Sequence, residues 1–379
     1  MSSPNGRIAR IGFRELRIPF AVSFRHAAAE RAETASVWVE AIDSNGLTGF
    51  GESCPREYVT GETLDSAGRF VRAHEASVRS VVTSLDALLA WMAAHQAEID
   101  ANPAAWCAIE LAVLDLLGKQ QGTPVETLLS LSPLAGRFRY TAVVGDASPP
   151  AFRAIAERYL KLGFTDFKVK LSGDVERDTE KMEVFRRQPG SLLRVRADAN
   201  NLWADAEEAI DALRLLAFPF FAIEEPIARD RHAELPDVAR GLNCRIVLDE
   251  SFIRRDQLSL LNEPLSQWIV NVRVSKMGGL MRSLQVVEAA RLHGVDVIVG
   301  AQVGETSLLT RAALPVARAA GERLVAQEGA FGTYLLQRDT CDPPIMFGAA
   351  GVLDVSAHPV MAGPGLGTFS IPVERGDLK

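Results

Sequence analysis

The sequence predicts an α/β protein in which a (β/α) barrel follows a smaller α+β domain. From about residue 140, eight short β-rich runs alternate with amphipathic helical segments at intervals of roughly 25 residues, as expected of a barrel of parallel strands. The first 130 or so residues do not share this repeat. A doubly wound open sheet is the competing architecture, but no run carries the glycine-rich fingerprint of a dinucleotide fold.

The first domain begins with two strand-like runs, residues 7–19 and 35–52, and Asn45-Gly46 marks a hairpin turn within the second. A helical pattern follows, most clearly over residues 102–122, where Asn102 is the predicted N-cap and Pro103 fits the first helical position. Gly118 or Gly122 can end this helix.

The barrel strands are predicted at the runs RYTAVVG, DFKVKL, LLRVRAD, FFAIEEP, CRIVLDE, QWIVNVR, VDVIVGA and RLVAQEG. The last 40 residues are rich in Gly and Pro and read as a return segment. We therefore expect a capping domain at 1–132, a barrel that carries the active site at 133–336 and a C-terminal segment at 337–379.

Composition limits the function. The chain has 379 residues, is 47% hydrophobic and 23% charged, and carries a net charge of −7, which disfavours a nucleic-acid partner. No apolar run is long enough for a membrane span, and the N-terminus lacks a signal pattern. The four cysteines are scattered without metal or redox spacing. These features predict a cytoplasmic enzyme, and we also expect a homo-oligomer.

Three carboxylates follow successive strands of the predicted barrel. Asp198, Glu224 and Asp249 are separated by 26 and 25 residues, which matches the barrel repeat, so their strand ends are neighbours. A strand-terminal acid alone is more often a helix cap, but three converging carboxylates need a cation to offset their repulsion. Oxygen ligands with open positions suit Mg²⁺, and Mn²⁺ is a possible substitute.

Lysines flank this predicted site. Lys168 and Lys170 share one strand face, and Lys276 follows a strand four positions further round the barrel. A bare Lys-x-Lys is usually a solvated edge strand, but here like charges and a metal ion would depress a lysine pKa and provide a base. This arrangement predicts abstraction of a proton α to a carboxylate, with the metal stabilising an enediolate.

These motifs resemble the enolase superfamily, and within it the muconate lactonizing enzyme subgroup. They are KVK (168–170), DAN (198–200), EEP (224–226), DES (249–251) and KMGG (276–279). The resemblance spans essentially the whole chain and implies a (β/α)₇β modified TIM barrel with an N-terminal α+β capping domain. Members of this superfamily use a Lys or His base with Mg²⁺.

The resemblance assigns roles by position. It makes Asp198, Glu224 and Asp249 the metal ligands. Lys170 and Lys276 become the acid/base catalysts and Lys168 an electrostatic helper, and Asn200 becomes an orienting residue. No histidine lies at a strand end of the kind that a His-Asp dyad needs.

The resemblance places substrate recognition in cap loops near residues 20–30 and 50–60 and at the last two strand ends. The candidates for contact with the substrate are Arg25, His26, Arg56, Tyr58, Glu305 and Glu328. Dipeptide epimerases of the subgroup usually carry an Asp-x-Asp pair at the eighth strand. This chain has AQEGAFG there, so Glu328 alone is the candidate for binding an amine or another polar group.

We therefore expect an Mg²⁺-dependent isomerase with a small-molecule carboxylate substrate, and racemisation or epimerisation of an amino-acid derivative as its reaction. Muconate-type cycloisomerisation and β-elimination by a dehydratase are alternative reactions. A catalytically silent, ligand-binding barrel is the alternative outside enzymes.

Overall fold

The chain opens with an antiparallel β-structure. In this computed structural model, which describes residues 6–26, 29–188 and 193–371 without the side chains of residues 22–31, the strands are β1 (Ile8–Leu16), β2 (Pro19–His26), β3 (Ala29–Glu33), β4 (Ser36–Asp43) and β5 (Thr48–Ser53). Strands β1, β4 and β5 form one sheet in that order, and β2 pairs with β3. The predicted hairpin turn is confirmed between β4 and β5, where Gly46 has a φ of 86°.

In the described part of this domain the strands are followed by the helices α1 (Glu57–Thr60), α2 (Leu64–Val81), α3 (Leu85–Ala94), α4 (Gln96–Ala101), α5 (Pro103–Gln121) and α6 (Val125–Leu128). Helix α5 ends at Gly122, which has a φ of 65°. Asn102 is its N-cap residue and Pro103 its first helical residue, as predicted, but the Asn102 side chain makes no capping hydrogen bond. The Glu62 carboxylate instead accepts hydrogen bonds from the backbone N–H groups of Ala104 and Ala105, at 2.9 and 2.8 Å.

Strand β5 packs unusually close to α5. A Cβ atom at Gly51 would lie 2.0 Å from the Ala108 carbonyl oxygen, and one at Gly49 would lie 2.2 Å from that of Ala112. Only glycine allows this approach, and it brings the residues that follow β5 against the barrel.

The second half of the chain forms the predicted barrel. A short strand outside the barrel, β6 (Arg137–Arg139), comes first. The barrel strands are β7 (Ala142–Val144), β8 (Asp166–Lys170), β9 (Arg194–Asp198), β10 (Ala222–Glu224), β11 (Arg245–Leu248), β12 (Trp268–Val272), β13 (Asp296–Val299) and β14 (Leu324–Gln327). Strands β7 to β14 are parallel and lie in chain order. The Thr141 N–H donates to the Gln327 carbonyl at 2.7 Å, joining the two edges. The doubly wound alternative is therefore excluded.

Helices alternate with these strands: α7 (Pro149–Lys161), α8 (Val175–Arg186), α9 (Ala206–Leu215), α10 (Leu235–Leu242), α11 (Val274–Met277), α12 (Leu280–His293) and α13 (Ser307–Ala320). Within the described residues, β14 is followed by short 3₁₀ helices and by no α-helix. Among the described residues, no helix is long and apolar enough to cross a membrane.

The chain after β14 contacts both halves of the molecule. A last strand, β15 (Val352–Asp354), pairs antiparallel with β6. The backbone N–H of Leu366 donates to the Asp115 carboxylate of α5 at 2.7 Å, and the Val125 N–H donates to the Gly365 carbonyl at 2.8 Å. These contacts are those expected of a segment that returns to the capping domain, although the boundaries at 132/133 and 336/337 stay predictions.

An apolar layer inside the barrel supports the polar strand ends. It consists of Ala222, Val247, Ile269, Ile298 and Ala326, all buried. Because side chains alternate in a strand, the residues two positions further along face the same interior, one layer higher. Those residues are Glu224, Asp249, Asn271, Gly300 and Glu328, so the sequence builds a hydrophobic floor beneath a polar layer.

Candidate active site

The predicted site residues lie at the carboxyl ends of adjacent strands. In the barrel register Lys170 of β8 is opposite Asp198 of β9, and Asp198 is opposite Glu224 of β10. Asp249 directly follows β11, and Lys276 lies on α11. The side chains of these residues are buried, so the Lys-x-Lys motif is not a solvated edge.

Lys168 is held between carboxylates. Its ammonium donates to Glu224 Oε1 at 2.7 Å and lies 2.9 Å from Asp198 Oδ2. Burial lowers the pKa of this ammonium, but the carboxylates of Asp198 and Glu224 outweigh it and the pKa is raised. The neighbours of this lysine are acids rather than other cations, and they favour its charged form.

Lys170 contacts two predicted site residues. Its ammonium donates to Asp198 Oδ2 at 2.5 Å and to Asn200 Oδ1 at 2.7 Å. Asn200 has a φ of 49°, and its backbone N–H donates to Asp198 Oδ1 at 3.1 Å. This asparagine therefore bridges Lys170 and Asp198, an arrangement consistent with the orienting role expected of it.

Asp249 contacts two further basic side chains, those of Lys276 and Arg273. Lys276 donates to Asp249 Oδ1 at 2.9 Å and to the Asp249 and Asn271 carbonyls, both at 2.7 Å. Arg273 donates to the other Asp249 oxygen and to Gln302 Oε1 at 2.9 Å. Burial, reinforced by the Arg273 charge, holds the pKa of Lys276 well below its usual value, in the direction that a base requires.

The three carboxylates each face basic nitrogen atoms. Within the described ranges, no group of three His, Cys, Asp or Glu side chains is arranged to hold a metal ion as it stands. Buried oxygen atoms there nevertheless lack hydrogen-bond partners, among them Glu224 Oε2, Glu250 Oε2 and Asn271 Oδ1. Unpaired buried oxygens are costly, and a donor set made wholly of oxygen suits a hard divalent cation. The chemistry of the site therefore fits Mg²⁺.

Comparison with known protein families shows to which family this chain belongs. The mandelate racemase/muconate lactonizing enzyme N-terminal domain matches residues 12–130, and the enolase C-terminal domain-like family matches residues 151–369. The chain belongs to the mandelate racemase/muconate lactonizing enzyme family. The superfamily predicted from the strand-end motifs is thereby confirmed.

Relatives in the family include isomerases of different kinds. L-Ala-D/L-Glu epimerase of Bacillus subtilis is 27% identical over 376 residues, which cover 98% of this chain and 99% of the relative. The dipeptide epimerase of Methylococcus capsulatus, solved with Mg and L-Arg-D-Lys, is 26% identical with a TM-score of 0.80, covering 95% of this chain and 99% of that one. The muconate lactonizing enzyme of Pseudomonas fluorescens, solved with muconolactone, is 24% identical with a TM-score of 0.83 and 97% coverage of both chains.

The Glu328 carboxylate is paired with basic side chains of the protein itself. Its carboxylate forms an ion pair with Arg196 and lies 3.4 Å from the Lys168 ammonium. The Arg196 side chain is 0% exposed and that of Glu328 is 5% exposed. Burial alone would raise the pKa of Glu328, but the charges of Lys168, Arg196 and Arg273 bring it down to about 2. The structure thus gives Glu328 two internal partners at the position where we expected a ligand for a substrate amine.

Arg196 was missed by the sequence analysis. It lies two residues before Asp198 in the run RVRAD, so the two side chains share the interior face in the same way as the two lysines of KVK. The two-residue spacing could have placed Arg196 inside the barrel. Its role depends on its partners, which are Glu328 and Asp166, whose Oδ1 lies 3.2 Å from the guanidinium, and the sequence does not reveal these.

The cap-loop candidates divide into two groups. Arg56 is buried and donates to the carbonyls of Ala35, Pro55 and Val303, at 2.9, 2.7 and 2.7 Å, so it fastens the cap to the loop after β13. Tyr58 lines the cavity above the strand ends. The side chains of Arg25 and His26 lie outside the described part of the structure.

Two further acids lie beside the site, Glu305, which is half-buried, and Glu250, which is buried. Glu305 accepts the Gln302 backbone N–H at 2.6 Å, and burial raises its pKa to about 7. It does not line the cavity, which Gln302 lines instead. Glu250 does line it, and burial raises its pKa to about 7 as well. Glu250 is the middle residue of the DES motif (249–251), and the resemblance assigns it no role.

Proposed function

We propose that this protein is an Mg²⁺-dependent isomerase that abstracts the α-proton of a carboxylate substrate and racemises or epimerises an amino-acid derivative. One observation carries the proposal: basic side chains from β8 and α11 converge with three carboxylates from consecutive strands at one buried site. The relatives, an L-Ala-D/L-Glu epimerase and a dipeptide epimerase solved with Mg, support the same reaction class.

Asp198, Glu224 and Asp249 are the proposed ligands of the metal. Mg²⁺ bound there supplies a positive charge that stabilises the negative charge developing on the substrate carboxylate. The Glu224 Oε2 atom supports this role, because it accepts no hydrogen bond and its ion-pair partner, Arg196 Nε, lies 3.9 Å away, so it can still bind a cation. Mn²⁺ is suited to the same ligands.

Lys170 and Lys276 are the proposed proton carriers. They belong to strands β8 and β12 and their following turns, four positions apart in a ring of eight, so they reach a substrate from opposite sides. The Lys276 ammonium already has a lowered pKa. Lys168, whose pKa is raised, stays an ammonium and contributes charge rather than proton transfer. Asn200 holds Lys170 in position.

Muconate-type cycloisomerisation is the second candidate, because the muconate lactonizing enzyme has the same fold over 97% of both chains. It needs proton transfer by one lysine rather than two, and so does β-elimination by a dehydratase. A catalytically silent, ligand-binding barrel would need no proton transfer by either lysine.

We further propose a cytoplasmic homo-oligomer that acts on a small molecule and not on nucleic acid. The net charge of −7 supports the last point. All four cysteines are free thiols, as is usual in a reducing compartment.

The test is exchange of substrate α-hydrogen with D₂O. N-acyl amino acids, dipeptides, proline derivatives and acid sugars are incubated with the enzyme, and deuterium uptake is followed by NMR. We expect uptake that EDTA abolishes and added Mg²⁺ restores. The proposal fails if no carboxylate in these libraries exchanges, or if exchange persists unchanged without a divalent ion.

A further inference from the structure

The turn that carries Lys276 is bound by the capping domain. Lys276 lies in the short helix α11, between β12 and α12 and outside the barrel strands. Its neighbour Ser275 is fully buried, and the Ser275 side-chain oxygen accepts the backbone N–H of Cys54 at 2.8 Å. Cys54 directly follows β5, the strand that packs closely on α5. The capping domain therefore holds the residue immediately before this lysine.

Glu110, in the middle of α5, holds the other end of the same turn. Its carboxylate accepts the backbone N–H groups of Leu280 and Met281, the first two residues of α12, at 2.6 and 3.1 Å. The contact is so close that a Cβ atom at Gly279 would lie 2.1 Å from Glu110 Oε2. A carboxylate is favourable at a helix N-terminus, but this one comes from the other domain. Glu110 thus ties the start of α12 to the capping domain.

Lys170 has no such connection to the capping domain. Its ammonium is bound by Asp198 and Asn200, and its backbone carbonyl accepts the Lys181 ammonium of α8 at 3.3 Å. In the described part of the chain, no hydrogen bond or ion pair joins residues 166–172 to the capping domain. The two lysines that we propose as proton carriers are therefore held by different domains.

We propose that Glu110 is a positioning residue for Lys276, and that the capping domain through it supports proton transfer on one face of the substrate only. Glu110 does not line the cavity, so it acts through the turn and not on the substrate. Displacing a reacting group by about 1 Å can cost about a hundredfold in rate. The catalytic consequence rests on the proposed function, whereas the positioning of the turn is measurable without a substrate.

The expected loss of activity is confined to one enantiomer. The enantiomer whose α-proton faces Lys170 can still lose that proton to the Lys170 amine and, in D₂O, receive a deuteron back from the same ammonium. Its α-hydrogen exchange therefore survives when Lys276 is displaced. The other enantiomer needs Lys276 for the first step and should exchange slowly. Racemisation uses both lysines and should fall in both directions. General damage to the site would instead slow the exchange of both enantiomers.

The variants separate positioning from general stability. Glu110→Ala removes both acceptor oxygens, and Glu110→Gln keeps one of them and replaces the other by an N–H donor. Ser275→Ala removes the acceptor of the Cys54 N–H and is the milder variant if Glu110→Ala does not fold. Glu52→Ala is the matched control. Glu52 is also a fully buried carboxylate of the capping domain, but it accepts the Thr306 N–H at 3.0 Å, beside α13, which carries no proposed proton carrier.

The first measurement is amide hydrogen exchange of the full chain with Mg²⁺, followed by mass spectrometry. In Glu110→Ala we expect peptides within residues 274–282 to exchange at least tenfold faster than in wild type, because the bonds that protect the turn are lost. Peptides within residues 166–172 should change by twofold or less. Glu52→Ala should leave both regions within twofold of wild type. Unchanged protection of residues 274–282 in Glu110→Ala, or equal loss in both regions, would overturn the proposal.

The second measurement is α-hydrogen exchange in D₂O with the separate L and D forms of N-acetylphenylalanine, N-acetylleucine and N-acetylmethionine. Glu110→Ala should slow one enantiomer at least tenfold, the same one that Lys276→Ala slows, and the other less than threefold. Glu110→Gln should lie between Glu110→Ala and wild type, and Ser275→Ala should shift the ratio of the two rates in the same direction. Glu52→Ala should keep that ratio within threefold of wild type.

The outcomes distinguish the two proposals. Equal slowing of both enantiomers by Glu110→Ala, or unchanged rates for both, would overturn the positioning role. If wild type exchanges none of the three pairs while residues 274–282 lose protection in Glu110→Ala, the positioning of the turn by Glu110 is upheld and the result counts against the proposed function instead.

Discussion

The Lys168 ammonium lies 2.7 Å from Glu224 Oε1, although the two residues belong to strands separated by β9. The same nitrogen atom lies 2.9 Å from Asp198 of the intervening strand. Lys168 therefore provides the positive charge that holds two of the three proposed metal ligands together. Its position implies that lysine and metal share the task of neutralising these acids.

Replacing Lys168 by methionine should destabilise the metal-free protein by about 3–5 kcal/mol, because removing one partner of a buried ion pair leaves uncompensated charge. Saturating Mg²⁺ should raise the melting temperature of Lys168→Met more than that of wild type, since the ion replaces the missing cation. Differential scanning calorimetry with and without Mg²⁺ measures both effects. An identical Mg²⁺-induced shift in the two proteins would show that the lysine and the metal do not share these carboxylates.

Glu224→Gln should weaken Mg²⁺ binding by at least tenfold, because it removes the charge from a ligand whose second oxygen accepts no hydrogen bond. Calorimetric titration of the metal-free protein with Mg²⁺ measures the affinity. Glu207→Gln, which changes an exposed acid in the first turn of α9, is the control and should leave the affinity unchanged. Similar affinities for Glu224→Gln and wild type would remove Glu224 from the ligand set.

The ion pair between Glu126 of α6 and Arg311 of α13 should stabilise the contact between the capping domain and the barrel. Both side chains are buried, and the two hydrogen bonds measure 2.7 and 2.8 Å. Glu126→Gln should cost about 3–5 kcal/mol in the free energy of unfolding, measured by urea denaturation. Glu288→Gln breaks the exposed pair with Arg291 and should leave that free energy nearly unchanged. If Glu126→Gln lowered the free energy of unfolding as little as Glu288→Gln does, the buried pair would not stabilise the contact.

Glu52 should make stability depend on pH. Burial raises its pKa from 4.5 to about 8, so the folded state binds this proton more tightly than the unfolded state. Its contribution is complete below pH 4.5 and is lost as the pH rises through the folded pKa near 8. The stability of wild type relative to Glu52→Gln should therefore fall across that window, as followed by denaturant titrations at several pH values. A constant difference between the two proteins would contradict this assignment.

The spacing of strands and the two-residue alternation within them predicted the layout of the site. Asp198, Glu224 and Asp249 could be placed on neighbouring strands, and Lys168 and Lys170 on one face, because both rules are local. Interactions between distant segments could not be predicted in this way. The partner of Glu328 is Arg196, 132 residues earlier, and the N–H groups at the start of α5 bond to Glu62 rather than to the adjacent Asn102. Arg56 was a substrate candidate until its carbonyl partners, Val303 among them, became visible.

The most direct measurement of the central claim is the α-hydrogen exchange of each enantiomer, in D₂O, by Lys170→Ala and Lys276→Ala. If the two lysines serve opposite faces of the substrate, both variants should lose racemisation, by at least a hundredfold. At least one of them should still exchange the α-hydrogen of a single enantiomer, and if both do, the enantiomers should differ. Circular dichroism confirms folding, and the control Lys161→Ala changes the last residue of α7 and should keep wild-type rates. Wild-type racemisation by both active-site variants would contradict the account, and loss of exchange on both enantiomers in both variants would contradict the division of labour between the lysines.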